Sequence, residues 1–208
     1  FYARHFRAVE VNNTFYRAPT AQLLEAWAAQ VPGNFRFALK APQEITHARR
    51  LAGAAELAAS LVEVANALGG RLGPILFQLP PHFKKDAGRL ADFLAYLPPC
   101  RAAFEFRHAS WFDDEVFDLL RDHQAALCVA DADDGLDVPF VATADWGYLR
   151  LRRPDYGDAA LAAAAGRVRA QGWRECFAFF KHEDAGTGPR LAARLSEMLR
   201  GRESRRAA

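Results

Sequence analysis

The sequence is poor in several features, each of which would have indicated a particular class of protein. It holds three cysteines and one methionine in 208 residues, and its apolar runs are shorter than the roughly 20 residues that a membrane-spanning helix needs. Lys+Arg 27 against Asp+Glu 25 leaves a net charge of +2, which argues against a surface built for bulk nucleic-acid binding. We expect no contact with membranes.

Short motifs for cofactors are also missing. Cys100, Cys128 and Cys176 are far apart and form no Cys-x-x-Cys pair, so neither a disulfide framework nor structural zinc is expected. Neither a dinucleotide fingerprint nor a phosphate-binding GxxxxGK[ST] loop occurs, and we assign no cofactor. Reduced thiols and the lack of a leader before the fold predict a cytoplasmic protein.

What the chain does contain is a regular alternation of two patterns. Its 51% hydrophobic and 25% charged residues are typical of a globular protein. Seven apolar or β-rich runs alternate with helical periodicity: Val9 to Tyr16, Phe35 to Ala41, Pro74 to Leu79, Ala102 to Arg107, Ala126 to Asp131, Tyr148 to Arg152 and Glu175 to Lys181. This order is typical of parallel strands joined by crossover helices. We predict one domain over residues 1–200 and a basic disordered tail over 201–208.

The strands have one apolar and one polar face. Phe35, Phe37 and Leu39 alternate with Arg36, Ala38 and Lys40, and the later runs divide in the same way. Sheets covered by helices on both sides have near-continuous apolar strands instead. A closed barrel explains the division, because apolar faces then pack on an outer ring of helices and the other faces point into the lumen. We predict a TIM-type (β/α) barrel.

The polar residues fall near the carboxyl ends of the strands, where catalytic groups of such barrels gather. The set is Glu10, Asn12, Lys40, Gln78, Glu105, Arg107, Asp131, Tyr148, Arg150 and Lys181. Any single member could simply mark the edge of the core. The charged members nearly balance, and the one cation left over would suit an anion.

Length adds a further expectation about this barrel. The chain is shorter than the roughly 250 residues typical of eight strands, and it shows seven strand runs and begins at Phe1 rather than Met. We predict that the first strand lies upstream of Phe1 and that its position beside the Val9 run is unfilled.

Several ordered stretches carry a family resemblance. They are residues 9–16 (VEVNNTFY), 35–40 (FRFALK), 45–47 (ITH), 78–81 (QLPP), 105–108 (EFRH) with Ser110 and Trp111, and 148–150 (YLR). These stretches resemble the YecE-like family, catalogued as domain of unknown function 72, from Phe1 to about Leu195. The resemblance implies a TIM-type barrel with a polar pocket at its C-terminal mouth, and it implies no particular reaction.

Three residues are candidates for catalysis. Glu105 is placed as a general acid or base, or as one half of an ion pair with Arg107 that braces the mouth. Lys40 could polarise a carbonyl, bind phosphate or act as an amine nucleophile, or it could neutralise Glu10 or Glu105. Glu10 is the third candidate.

The candidates for ligand binding surround these three. Arg107 and Arg150 are predicted to bind an anion, and Tyr148 and Trp111 to form pocket walls. His47 follows a strand-end loop and could act in catalysis or cap the next helix. The other candidates are Asn12, Tyr16, Gln78, His108, Asp131 and Lys181.

Two weaker motifs lie near the last strand. His182, Glu183 and Asp184 could join Glu10, Glu105 and Asp131 around a metal, but no compact metal motif supports this, and we assign no metal ligand. The glycines at 186 and 188 could cradle a phosphate or simply begin a helix.

The leading hypothesis is an enzyme of hydrolase or lyase type. It would use metal-independent acid–base chemistry on a small polar substrate, anionic or sugar-like. The alternatives are a barrel that binds a ligand or a nucleic-acid end without turnover, and a metal-dependent hydrolase.

Overall fold

The fold is a parallel barrel of seven strands. The structure is a computed structural model, which describes residues 2–132, 135–181 and 186–200. Its strands are β1 (Ala8–Val11), β2 (Arg36–Lys40), β3 (Leu72–Gln78), β4 (Ala102–Glu105), β5 (Ala126–Asp131), β6 (Trp146–Leu151) and β7 (Glu175–Phe180). All neighbours pair in parallel in the order β1 to β7. The predicted seven-stranded TIM-type architecture is confirmed.

Helices link the strands. They are α1 (Tyr2–His5), α2 (Ala21–Ala29), α3 (Ala55–Ala65), α4 (Ala87–Tyr96), α5 (Asp114–Asp122), α6 (Asp158–Ala170) and α7 (Thr187–Arg200). Asp86 and Asp113 cap α4 and α5 by accepting hydrogen bonds from the backbone N–H groups of Arg89 and Val116. Within the described residues, no helix is long and apolar enough to cross a membrane.

Strand alternation divides the core in two. Phe37, Leu39 and Ile75 belong to a large cluster that includes the apolar faces of α2 to α5. Ala38, Leu76 and Tyr148 belong to a separate cluster inside the barrel. The two faces of each strand therefore pack as the sequence pattern predicts, with the polar strand ends on the inner face.

The barrel is nearly closed. In the described part of the chain, no hydrogen-bonded ladder joins β1 to β7. A cleft of about 1820 Å³ lies there, lined by both strands, by α1 and α7, and by the polar strand ends. The unfilled position predicted beside the Val9 strand thus coincides with this cleft.

One detail differs from the sequence expectations. The first run does not continue to Tyr16, because β1 ends at Val11 and residues Asn13–Phe15 form a 3-10 turn. All three thiols are free, and Cys128 is buried, whereas Cys100 and Cys176 are partly exposed. The predicted tail, residues 201–208, lies outside the described residues.

Candidate functional site

Five strands deliver polar side chains to one end of the barrel. Glu10 comes from β1, Lys40 from β2, Gln78 from β3, Glu105 from β4 and Arg150 from β6. Gln78 and Glu105 are direct partners in the register of β3 and β4. Because the strands are parallel, their carboxyl ends share one edge of the barrel, and the side chains meet there.

Arg150 joins two carboxylates across the lumen. Its Nη1 lies 2.6 Å from Glu105 Oε2, and its Nη2 lies 2.7 Å from Glu10 Oε1. The side chains of Arg150, Glu10 and Glu105 are only 3%, 6% and 3% exposed. Burial alone would lower the pKa of Arg150, but Glu105 and Glu10 outweigh it and raise this pKa above its ordinary value.

The remaining carboxylate oxygens also have donors. Gln78 Nε2 donates to Glu105 Oε1 at 2.9 Å. The Tyr148 hydroxyl donates to Glu10 Oε2 at 2.7 Å, and Asn12 Nδ2 donates to Glu10 Oε1 at 3.2 Å. Each carboxylate is therefore held by hydrogen bonds at both of its oxygens, which is how buried charges are made tolerable.

Lys40 stands apart from this network. Its Nζ lies 4.0 Å from the centre of the Phe15 ring, and within the described residues it makes no hydrogen bond or ion pair. Burial lowers the pKa of Lys40 to about 8; the positive charge of Arg150 adds to this effect, while Glu105 and Glu10 oppose it. A sizeable fraction of this side chain is therefore a neutral amine near pH 8.

His47 contacts the same aromatic ring. A π-helical turn, Glu44–Ala48, sets its imidazole edge-on to Phe15 at 4.9 Å between ring centres. Burial, followed by the charges of Lys40 and Arg107, lowers the pKa of His47, which favours the neutral form of the ring. Thr46 Oγ1 lies 3.3 Å from the Pro42 carbonyl oxygen and 3.0 Å from His47 Nδ1.

Many of the predicted site residues line the cleft. They are Glu10, Asn12, Tyr16, Lys40, Gln78, Glu105, Arg107, Arg150 and Lys181. Arg152, absent from the predicted set, lines it too. Among the described residues that line the cleft at the strand ends are two carboxylates, Glu10 and Glu105, and five basic side chains, Lys40, Arg107, Arg150, Arg152 and Lys181.

Other predicted residues lie elsewhere. Trp111 is fully buried, stacks on Phe106 at 4.5 Å and donates from Nε1 to the Phe83 carbonyl, so it belongs to the core and forms no wall of the cleft. His108 caps the short turn Ala109–Trp111 by accepting from the Ser110 backbone N–H. Both residues stabilise the loop after β4.

Asp131 and Tyr148 are also separated from the cleft. Asp131 pairs with Arg153 at 2.8 Å and lines a different, smaller pocket. Tyr148 is fully buried inside the barrel and reaches the site only through its bond to Glu10. Burial, aided by the negative charge of Glu10, raises the pKa of Tyr148 well above its ordinary value.

No group of three or more His, Cys, Asp or Glu side chains suited to a metal occurs in the ranges that the structure describes. His182, Glu183 and Asp184, the weaker metal candidates, lie outside those ranges. Helix α7 begins at Thr187, so the Gly-rich stretch before it does lead into a helix.

Sequence reasoning missed Phe15 and Thr14. Both lie in the turn after β1, where the pattern suggested a longer strand. The Thr14 hydroxyl is buried and lies 2.7 Å from the Lys40 carbonyl oxygen, to which it donates. Asn12 and Asn13, which favour turns, were the available signal.

Replacing Thr14 with Val tests this link. The variant should lower the free energy of unfolding by about 1–2 kcal/mol, because the Lys40 carbonyl loses its donor inside the protein. Chemical denaturation would measure the change. Thr14→Ser is the matched control and should lose less, since it keeps the hydroxyl. A loss in Thr14→Ser with little or no loss in Thr14→Val would show that the methyl group, not the hydrogen bond, matters.

Comparisons with known proteins agree with this fold. A sequence model described as "Protein of unknown function DUF72" matches residues 1–208. The chain is 34% identical over 113 residues to UPF0759 protein YecE of Escherichia coli, covering 53% of this chain and 42% of that protein. It is 31% identical over 136 residues to UPF0759 protein YunF of Bacillus subtilis, covering 56% and 45%. The match thus spans less than half the length of these relatives.

Solved structures extend the likeness to nearly the whole chain. A DUF72 family protein from Thermotoga maritima superimposes with a TM-score of 0.81 at 26% identity, covering 94% of this chain and 85% of that one. A DUF72 family protein from Enterococcus faecalis gives a TM-score of 0.82 at 20% identity, covering 95% and 91%. The second likeness shows the shared fold alone.

Proposed function

The chain belongs to the DUF72 family, and from that premise and the geometry of its cleft we propose an enzyme that uses acid–base chemistry on a small polar substrate, anionic or sugar-like. The observation that carries the proposal is the Lys40 amine. It lies partly buried beside the fixed Glu10–Arg150–Glu105 cluster, and it makes no hydrogen bond to any residue that the structure describes. An ionisable group left unpaired in a charged cleft is a candidate for catalysis.

Lys40 is better suited to proton transfer than Glu105. Both oxygens of Glu105 already accept hydrogen bonds, and its side chain is 3% exposed. A base with a pKa of about 8 operates close to neutral pH, where acid–base catalysis is most efficient. In this scheme Glu105 and Glu10 fix Arg150 and set the electrostatic field around the Lys40 amine.

Arginine side chains in the cleft would select substrates that carry an anionic group. Arg107 and Arg152 line the cleft on the same edge as Lys40. Guanidinium groups bind carboxylates and phosphates with two parallel hydrogen bonds. An anionic group held by these arginines would leave another part of a small substrate next to Lys40.

Because Lys40 is the proposed base, the Glu105→Gln variant is a poor test of catalysis. From the sequence alone, Glu105→Gln is expected to fold normally and lose turnover. With Glu105 bound to Arg150, the amide variant removes half of the charge that compensates a buried guanidinium. Loss of activity in that variant would therefore not identify the catalytic base, and Lys40 is the sharper target.

The experiment is a search for exchange of carbon-bound hydrogen. Sugar acids, sugar phosphates and 2-oxo acids are incubated with the protein in heavy water, and NMR detects deuterium beside the carbonyl group. We expect exchange to rise about tenfold per pH unit below pH 8 and to level off above it, because the neutral amine is the base.

Three variants accompany that search. Lys40→Met should abolish exchange, whereas the control Lys84→Met, which changes an exposed lysine, should retain it. Arg152→Gln should weaken binding of the anionic substrate by about tenfold. Exchange that persists in Lys40→Met would overturn the proposal.

The alternative is a barrel that binds an anionic ligand or a nucleic-acid end without changing it. The basic side chains that line the cleft, among them Arg152, support this alternative. It predicts binding that weakens steeply with salt. Binding without any exchange over the whole panel would select it.

A further inference from the structure

We propose that Lys40 is a nucleophile that forms an imine with aldehydes or ketones carrying a carboxylate or phosphate group. This inference rests on the proposed function and deepens it, because it names the class of substrate and a covalent step. It depends on the surroundings of the Lys40 Nζ atom.

Among the residues that the structure describes, the Lys40 amine has no ion-pair partner. The two carboxylates that influence its titration belong to Glu10 and Glu105. Their oxygens accept hydrogen bonds from Arg150, Gln78 and Tyr148. The buried carboxylates therefore pair with Arg150, and the Lys40 amine contacts the Phe15 ring instead.

The contrast with Lys85 shows what this arrangement changes. Lys85 Nζ lies 2.9 Å from Glu115 Oε2 and also pairs with Asp113, and these hydrogen bonds raise its pKa. Burial and the neighbouring Arg150 act in the opposite direction and lower the pKa of Lys40 to about 8. Only the neutral amine has the lone pair that attacks a carbonyl carbon.

The surroundings of Lys40 also suit the positive charge of the imine that would form there. A protonated imine remains cationic, and the Glu10 and Glu105 carboxylates lie close enough to Lys40 to favour a positive charge there. The Phe15 ring, 4.0 Å from Nζ, also favours a cation on its face. The site can therefore hold the iminium as well as the free amine.

The covalent step is balanced without any oxidant or reductant. The Nζ lone pair forms a bond to the carbonyl carbon, and the carbonyl π electrons move to oxygen, which takes the proton that nitrogen gives up. That hydroxyl then accepts one further proton and leaves as water while the nitrogen lone pair closes the C=N double bond. An amine, a carbonyl compound and one proton thus become one iminium ion and one water.

A second ionisable ring lies near this chemistry. The His47 ring packs edge-on against the same Phe15 ring, with 4.9 Å between ring centres, and burial and the nearby charge of Lys40 lower its pKa. An iminium withdraws electrons from the adjacent carbon and makes its hydrogen acidic. Imine formation at Lys40 thus provides the electron sink that the proposed proton transfer needs, and in this scheme His47 rather than Lys40 is the base.

The test is reductive trapping with glyoxylate, a small aldehyde that carries a carboxylate. The chain has four lysines, Lys40, Lys84, Lys85 and Lys181, so peptide mapping by mass spectrometry separates every one. With borohydride present at pH 7.5, we expect Lys40 to be modified roughly 10-fold or more faster than the exposed Lys84, because it holds far more neutral amine. Equal rates at the two lysines, or no label on Lys40, would overturn the inference.

Two comparisons examine the anionic part of the substrate class. Glycolaldehyde, which has no anionic group, should label Lys40 more slowly than glyoxylate does. Arg152→Gln should reduce the preference for glyoxylate over glycolaldehyde. An unchanged preference would contradict a role for Arg152 in binding the carboxylate. Lys40→Arg should lose the fast label without loss of positive charge.

The outcome is separable from that of the proposed function. Exchange that depends on Lys40 without any trapped adduct would leave Lys40 as a base and reject the imine. A trapped adduct with no exchange on any compound of the panel would retain the imine and reject the proposed turnover. Label that appears without reductant is not a reducible imine and also counts against the inference.

Discussion

Replacing Arg150 with Met is expected to lower the free energy of unfolding by about 3–5 kcal/mol, the usual cost of removing one partner from a buried ion pair. Arg150 lies between Glu10 and Glu105 at 2.6–2.7 Å, and all three side chains are at most 6% exposed. Methionine keeps much of the side-chain volume but leaves two carboxylates in the lumen without their cation.

The pH dependence of this variant has a definite sign. Without Arg150, two buried carboxylate charges remain close together with no cation between them, and protonation in acid removes that cost. The stability deficit should therefore be full where both carboxylates are charged and should diminish as the pH falls into the acid range.

Denaturation of wild type and variant at several pH values would measure this. Arg101→Met is the matched control, because Arg101 pairs with Glu175 on the exposed surface, with side chains 47% and 44% exposed. That change should cost at most about 1 kcal/mol and show little of this pH dependence. A small, pH-independent loss in Arg150→Met would contradict the central role given to this cluster.

Much of the barrel is predictable from strand alternation. Phe37 and Leu39 on one face of β2, and Ala38 on the other, enter different core clusters, as the pattern requires. The polar strand ends follow from the same alternation, because parallel strands place their carboxyl ends on one edge. Glu10, Lys40, Gln78, Glu105 and Arg150 are therefore found together from sequence alone.

The pairing within that set is not predictable in the same way. Glu105 and Arg107 share a strand face two residues apart, and the sequence suggests that they pair. The partner of Glu105 is instead Arg150, 45 residues further along the chain. Alternation gives the face of each side chain, but the distance across the lumen depends on how the barrel curves.

Aromatic residues are harder to place because they serve core and site alike. Trp111 looks like a pocket wall, yet it packs on Phe106 in the core. Phe15 looks like part of a strand, yet it supports the Lys40 amine from a turn. Their hydrophobic character is the same, and only the path of the loop decides between the two positions.

Lys40 shows that a site can carry a measurable cost to stability. Its pKa of about 8 in the folded protein lies below the ordinary value of 10.5, so folding disfavours its charged form. Lys40→Met should therefore raise the free energy of unfolding at pH 7, by about 1–3 kcal/mol after allowance for the partial exposure of the side chain. Chemical denaturation would measure the gain, with the exposed Lys84→Met as the control that changes little.

The pH dependence distinguishes this cost from a simple gain in apolar packing. Below pH 8 both states of the wild type hold the proton, and the penalty is constant. Between pH 8 and 10.5 the unfolded state binds more protons than the folded state, so wild-type stability rises relative to the variant. The advantage of Lys40→Met should thus shrink above pH 8, whereas better packing would keep it constant. A variant that is more stable yet no longer supports exchange or trapping would show that the amine is retained for chemistry rather than for the fold.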